Sequence, residues 1–95
     1  MQKEKMKKGK LRIAQTGNFL VWCPGCSEYH VIDQRWTFNG NYDSPTFNPS
    51  LLVTIPGSST RCHAFIRQGQ WQFLSDCNHM LAGQTVSIPV PPADA

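Results

Sequence analysis

Apolar residues in this chain come in short runs, and each run ends within a few positions at turn-forming residues. Residues 11–14 and 19–22 are two such runs, separated by Thr16-Gly17-Asn18 in the manner of a hairpin turn. Residues 29–32 form another, just after Cys23-Pro24-Gly25-Cys26. Trp36 and Phe38 alternate with polar neighbours and run into Asn39-Gly40-Asn41, while residues 51–55 are apolar and largely β-branched between Pro49 and Pro56. After the loop Gly57-Ser58-Ser59-Thr60, residues 62–67 and 71–74 flank Gln68-Gly69-Gln70 as a second hairpin, and residues 85–88 give a last strand before Pro89, Pro91 and Pro92. Only residues 76–82 read as helical, with Asp76 as N-cap, Met80 and Leu81 facing inward and Gly83 as the C′ residue. Short strands with this much turn chemistry predict a mainly β fold: a small antiparallel sheet or half-open barrel with one short helix.

The length of 95 residues allows one domain with a thin core, assigned to residues 11–90. The net charge of +3 suggests nucleic-acid binding until it is located. Lys3, Lys5, Lys7, Lys8 and Lys10 against Glu4 give residues 1–10 a net +4, and the remainder carries −1. The basicity is that of a polar lead expected to be disordered, so a basic recognition face on the fold is missing. Residues 91–95 read as a Pro-rich flexible end. No apolar run approaches the roughly 20 residues needed to cross a bilayer, and the Lys-rich start lacks the apolar stretch of a secretory signal. These features imply a cytoplasmic protein with neither a membrane nor a nucleic acid as partner.

In that setting four cysteines are metal ligands or free thiols rather than disulfides. Cys23 and Cys26, two residues apart across a Pro-Gly turn, have the spacing of a structural zinc knuckle; a redox pair would open a helix in a βαβ unit, and here β runs flank it. Closure with Cys62 and Cys77 gives a four-thiolate zinc site, with His79 as the main alternative fourth ligand and His30 a further one. Such a site would add folding free energy to a thin core. Neighbours on a strand point to opposite faces, so if Cys62 faces the metal, His63 does not.

His63, Ser50 and Asp76 each have an ordinary structural role open to them: a packed histidine, a strand start and a helix cap. Together they are also the nucleophile, base and orienting carboxylate of a serine hydrolase. A second, catalytic metal on His63, His79 and Asp76 is another use of the same groups. The aromatics Trp22, Trp36, Phe38, Phe47, Phe65, Trp71 and Phe73 are read as core, because a base-stacking platform would need interleaved basic residues.

Cys-Pro-Gly-Cys with His30, Trp36-Thr37-Phe38-Asn39-Gly40, the run from Ser44 to Leu51, Cys62-His63-Ala64-Phe65 and the run from Phe73 to Val86 resemble a family of short phage and prophage zinc-binding proteins. Many of these carry an ammonia monooxygenase label, which does not fit, since that enzyme is a membrane copper complex. The family is similar to longer proteins of bacterial ubiquitin-like conjugation (Bub) operons, whose E component is proposed to be a peptidase. The resemblance spans about residues 20–88. It implies a knuckle on Cys23 and Cys26, a strand cysteine at Cys62, a Pro-Ser pair at Pro49 and Ser50, and a histidine at His63. The longer proteins have an extra cysteine in the knuckle region, which this chain lacks, having Cys77 instead.

The reading that follows is a zinc-stabilised serine-type peptidase acting on a ubiquitin-like or other extended protein terminus. Ser50 would attack, His63 would move the proton and Asp76 would hold the imidazole, with backbone N–H groups near Gly57 or Ser50 as the oxyanion hole. The alternatives are a non-catalytic zinc-binding interaction module of a phage, pairing through a sheet edge, and a zinc metallohydrolase.

Overall fold

The computed structural model describes residues 6–92. Among these the chain forms strands β1 (Met6–Lys8), β2 (Leu11–Ile13), β3 (Phe19–Cys23), β4 (Glu28–Ile32), β5 (Thr37–Phe38), β6 (Phe47–Thr54), β7 (Arg61–Arg67), β8 (Gln70–Phe73) and β9 (Thr85–Ser87). All pairings are antiparallel. One sheet has the order β1-β2-β3-β4 and the other β5-β6-β7-β8-β9, so each is a meander of neighbours in sequence, and neither closes into a barrel.

Alternation decides which residues face inward. On β7, Cys62, Ala64 and Ile66 are buried while Arg61 and Arg67 are exposed and His63 and Phe65 lie half-buried on the outer face. On β8, Trp71 and Phe73 are buried in the same way. The two sheets share one core, in which Leu11, Val21, Cys23 and Ile32 of the first meet Phe47, Leu51, Cys62, Ile66 and Trp71 of the second. Trp71 is fully buried, and its indole N–H donates to the Trp22 carbonyl across the sheets at 2.8 Å. A buried indole needs such a partner.

Turn chemistry sets the register. Gln68 and Gly69 both have positive φ (51° and 76°) and close the two-residue β7–β8 hairpin, as a primed turn requires. Phe47 pairs with Ile66 but Leu51 with Ala64, so β6 carries extra residues there and bulges around Asn48, Pro49 and Ser50. The Asn48–Pro49 peptide is cis.

The expected helix over residues 76–82 is absent; among the described residues there is none. Those residues form successive turns, in which Cys77 N–H donates to Leu74 O, Ala82 N–H to His79 O and Gln84 N–H to Leu81 O. The chain is held by contacts with β7 instead of a helical ladder, and Met80, expected to face inward, is 87 % exposed. Part of the Lys-rich lead is ordered: Met6–Lys8 pairs with β2, and Lys10 Nζ donates to Ile88 O at 2.8 Å. Residues 1–5 and 93–95, assigned to the disordered lead and the flexible end, lie outside the described residues. Pro91, assigned to that end, is buried. Phe65, read as core, lies on the outer face of β7 beneath the Arg67 guanidinium, 3.8 Å from the ring centre.

Candidate functional site

Ser50 sits in the β6 bulge, His63 in the middle of β7, and Asp76 in the turn after β8. Their side chains meet on the outer face of the five-stranded sheet. Ser50 Oγ lies 3.4 Å from His63 Nε2. His63 Nδ1 lies 3.1 Å from Asp76 Oδ2 and 3.3 Å from Oδ1. A carboxylate can only accept there, so Nδ1 carries the proton and Nε2 is left to accept from the serine hydroxyl. Asp76 also accepts from Arg61 Nε at 3.1 Å. The contact with His63 first, and Arg61 after it, holds the Asp76 carboxyl below the usual carboxylate range.

The backbone around this array is fixed by the turn. Leu74 N–H donates to His63 O at 2.8 Å, and His63 N–H donates to Cys77 Sγ at 3.2 Å. Arg61 N–H donates to Asn78 Oδ1, and Asn78 N–H to Arg61 O. Asp76 is thereby placed beside His63 as the middle of a clamped loop, without the helix cap expected of it. Arg61 was not anticipated; the alternation of β7, which puts residue 61 on the face of residue 63, could have found it. Gly57, one of the two places where an oxyanion donor was expected, lies in the loop beyond Thr54, where β6 ends.

On the opposite, inner face of β7 lies a cluster of metal-ligand side chains. Cys23, Cys26, His30 and Cys62 offer ligand atoms that all lie within 4.8 Å of one another and could hold a metal ion. The knuckle is the β3–β4 hairpin loop: Cys23 pairs with Glu28, Ser27 N–H donates to Cys23 O, and Cys26 N–H to Cys23 Sγ at 3.4 Å. Cys23 and Cys62 bring their sulfurs to 3.8 Å across the two sheets. Donation from the Cys62 thiol pulls the Cys23 thiol down to about 4, burial pushes Cys26 up to about 12, and Cys62 is held far above its ordinary value by the same contact with Cys23. His30 is buried, and its Nε2 has no hydrogen-bond partner among the described residues. An unpartnered imidazole nitrogen beside three thiols is a donor set that could hold a cation.

Cys77 falls outside this set and groups with Cys62 and His79. Its thiol donates to His63 O at 3.2 Å as well as accepting from His63 N–H. His79 packs its ring over Gly25 of the knuckle, where an added Cβ would run into it; its Nδ1 accepts from Leu81 N–H at 3.2 Å, and its Nε2, like that of His30, has no hydrogen-bond partner among the described residues. His63, His79 and Asp76 do not come together as a ligand set among the described residues. The opposed directions of Cys62 and His63 hold as read from the strand: one faces the Cys23, Cys26 and His30 cluster, the other the serine.

Residues 1–74 match the family described as bacterial ubiquitination-like system serine protease, BubE. The chain belongs to that family. The matched span contains Ser50, His63 and the Cys23, Cys26, His30 and Cys62 set, while Asp76 and Cys77 lie beyond it. Neither the curated proteins nor the solved structures yield a match. No helix among the described residues is long and apolar enough to cross a membrane.

Proposed function

We propose that this protein is a serine peptidase acting on an extended protein terminus within a ubiquitination-like system, with Ser50, His63 and Asp76 as its catalytic residues. The observation that carries the reading is the relay of Ser50 Oγ to His63 Nε2 at 3.4 Å and His63 Nδ1 to Asp76 Oδ2 at 3.1 Å. The first distance is that of a loose triad, which tightens with substrate in place. Ser50 Oγ attacks the scissile carbonyl carbon while His63 Nε2 takes its proton. The imidazolium formed is stabilised by Asp76. The tetrahedral adduct then collapses, the C–N bond breaks, and His63 returns the proton to the leaving amine. Water, deprotonated by His63, cleaves the acyl-serine ester and restores Ser50.

The metal of this reading is a structural zinc held by Cys23, Cys26, Cys62 and His30. Two thiolates on one tetrahedral zinc, at about 2.3 Å each, stand about 3.8 Å apart, which is the Cys23–Cys62 separation. His30 Nε2, unpartnered and close to the three thiols, supports it as fourth ligand in preference to Cys77, whose sulfur is engaged by the His63 backbone, and to His79, whose Nε2 is also unpartnered but which groups with Cys62 and Cys77. The ion would supply folding free energy by joining β3, β4 and β7, on the far face of β7 from the serine.

A test is hydrolysis of a ubiquitin-like precursor carrying a C-terminal extension. The wild type should release the extension, and Ser50→Ala should leave no release above background. Undiminished release by Ser50→Ala would remove Ser50 as the nucleophile.

A further inference from the structure

The five-stranded sheet leaves a stretch of edge open beside Ser50. β5 covers β6 only at Phe47 and Asn48. Before Thr37 the chain turns away, with Trp36 N–H donating to Asp33 O. Residues 51–54 therefore have β7 on one side and, among the described residues, no strand on the other.

The partners on β7 reveal which backbone groups face that opening. In an antiparallel ladder, opposed residues alternate between exchanging both hydrogen bonds and exchanging none. His63 uses its N–H and C=O on the β8 side, toward Cys77 Sγ and Leu74 N–H. Arg61 does the same, toward Asn78. Their partners are Leu52 and Thr54. The N–H and C=O of Leu52 and Thr54 consequently point away from β7, and no group among the described residues bonds them there. The Ser50 carbonyl points the same way, since it accepts from Trp36 Nε1 at 3.4 Å. Leu52, directly across from His63, is 51 % exposed.

We propose that this edge binds the substrate as an added strand. An extended peptide pairs its backbone with Leu52 and Thr54, its scissile carbonyl lies at Ser50 Oγ, and Leu52 contacts an apolar substrate side chain. Main-chain pairing supplies the affinity in this kind of recognition and side-chain contacts the selectivity. Trp36, at the Ser50 carbonyl, bounds the site at the end where β5 begins. The proposal rests on Ser50 acting as nucleophile.

Thr54→Pro separates the two ideas. It deletes one outward N–H and leaves the β6–β7 ladder whole, because Thr54 exchanges no hydrogen bond with Arg61. A fluorophosphonate probe labels an activated serine without needing a strand; a synthetic peptide library, read by mass spectrometry, contains the extended segments. Thr54→Pro should label at Ser50 as fast as the wild type and cleave library peptides about tenfold more slowly. Cleavage at the wild-type rate would overturn strand addition, as would a wild type that labels but cleaves no peptide. A wild type that fails to label loses its nucleophile, which overturns the serine reading and this proposal with it. Should Thr54→Pro not fold, a peptide cleaved by the wild type is N-methylated at each amide in turn. Cleavage should fall at alternate positions, and equal tolerance at every position would overturn the proposal.

Discussion

His63 has a different partner on each ring nitrogen, and this decides how the site can work. With Asp76 on Nδ1, the lone pair of Nε2 is aimed at Ser50. Asp76→Asn would offer an amide that can hold the other tautomer, so hydrolysis should fall on the order of 10³- to 10⁴-fold. The melting temperature should move by only a few degrees, because exposed ion pairs contribute little to stability. Arg61→Gln removes the second partner of Asp76 and should cost less than about tenfold in kcat/KM. The pH dependence follows from the same contacts. The folded Asp76 carboxyl lies below its ordinary value, so its ion contacts are intact above the usual carboxylate range and are lost as pH falls through the lowered value. The acid limb of the Asp76-dependent stability should therefore move up in pH when Arg61 is replaced, as read by thermal melts across pH 2–6 (about the carboxylate range).

At the scale of elements, the knuckle hairpin and the 75–84 turns are locked to each other and to β7. The His79 ring sits between Gly25 and Phe73, whose ring centre is 4.6 Å away. Gly25→Ala would push a methyl into that ring, with a destabilisation of about 1–3 kcal/mol expected in denaturant titration. Cys77→Ala separates a structural role from a ligand role. Losing its sulfur strands the His63 N–H and should lower stability by about 1–3 kcal/mol. Zinc content, measured by mass spectrometry, should stay near one per chain in Cys77→Ala and fall in His30→Ala. The reverse pattern would make Cys77 the fourth ligand. The β6 bulge is the other device at this scale: it lifts Ser50 out of regular register while Leu51 resumes pairing with Ala64.

For the whole molecule, the two sheets are joined through their shared core, and among its contacts are the Trp71–Trp22 hydrogen bond, the rings of Phe19 against Phe38 and Phe47 and of His30 against Trp71, and the Cys23–Cys62 approach. A metal ion at Cys23, Cys26, His30 and Cys62 would tie the first sheet to the second, so a strong chelator should lower the melting temperature sharply and hydrolysis should fall with the folded fraction. Loss of activity with no loss of fold would place the metal in the chemistry instead. The site needs both sheets only indirectly: Ser50, His63 and the strands that carry them belong to the second, and the first supports β7 from behind.

Strand positions were legible in the sequence because alternation and turn residues are local, from the Gln68-Gly69 hairpin to the Cys-Pro-Gly-Cys loop. The opposed faces of Cys62 and His63 were legible for the same reason, being a consequence of strand geometry alone. The Ser50, His63 and Asp76 inventory was legible too, but not the meeting of those residues. Asp76 carries the signal of a helix cap, and only the clamp of residues 74–78 onto β7 turns it toward His63. That His30 groups with Cys23, Cys26 and Cys62, while Cys77 groups with Cys62 and His79, was not legible, because spacing along the chain does not reveal which side chains meet across two sheets. Local hydrogen bonding and side-chain alternation wrote the elements into the sequence. Long-range pairing, the bulge and the packing of one sheet on the other decided which of their residues share a site.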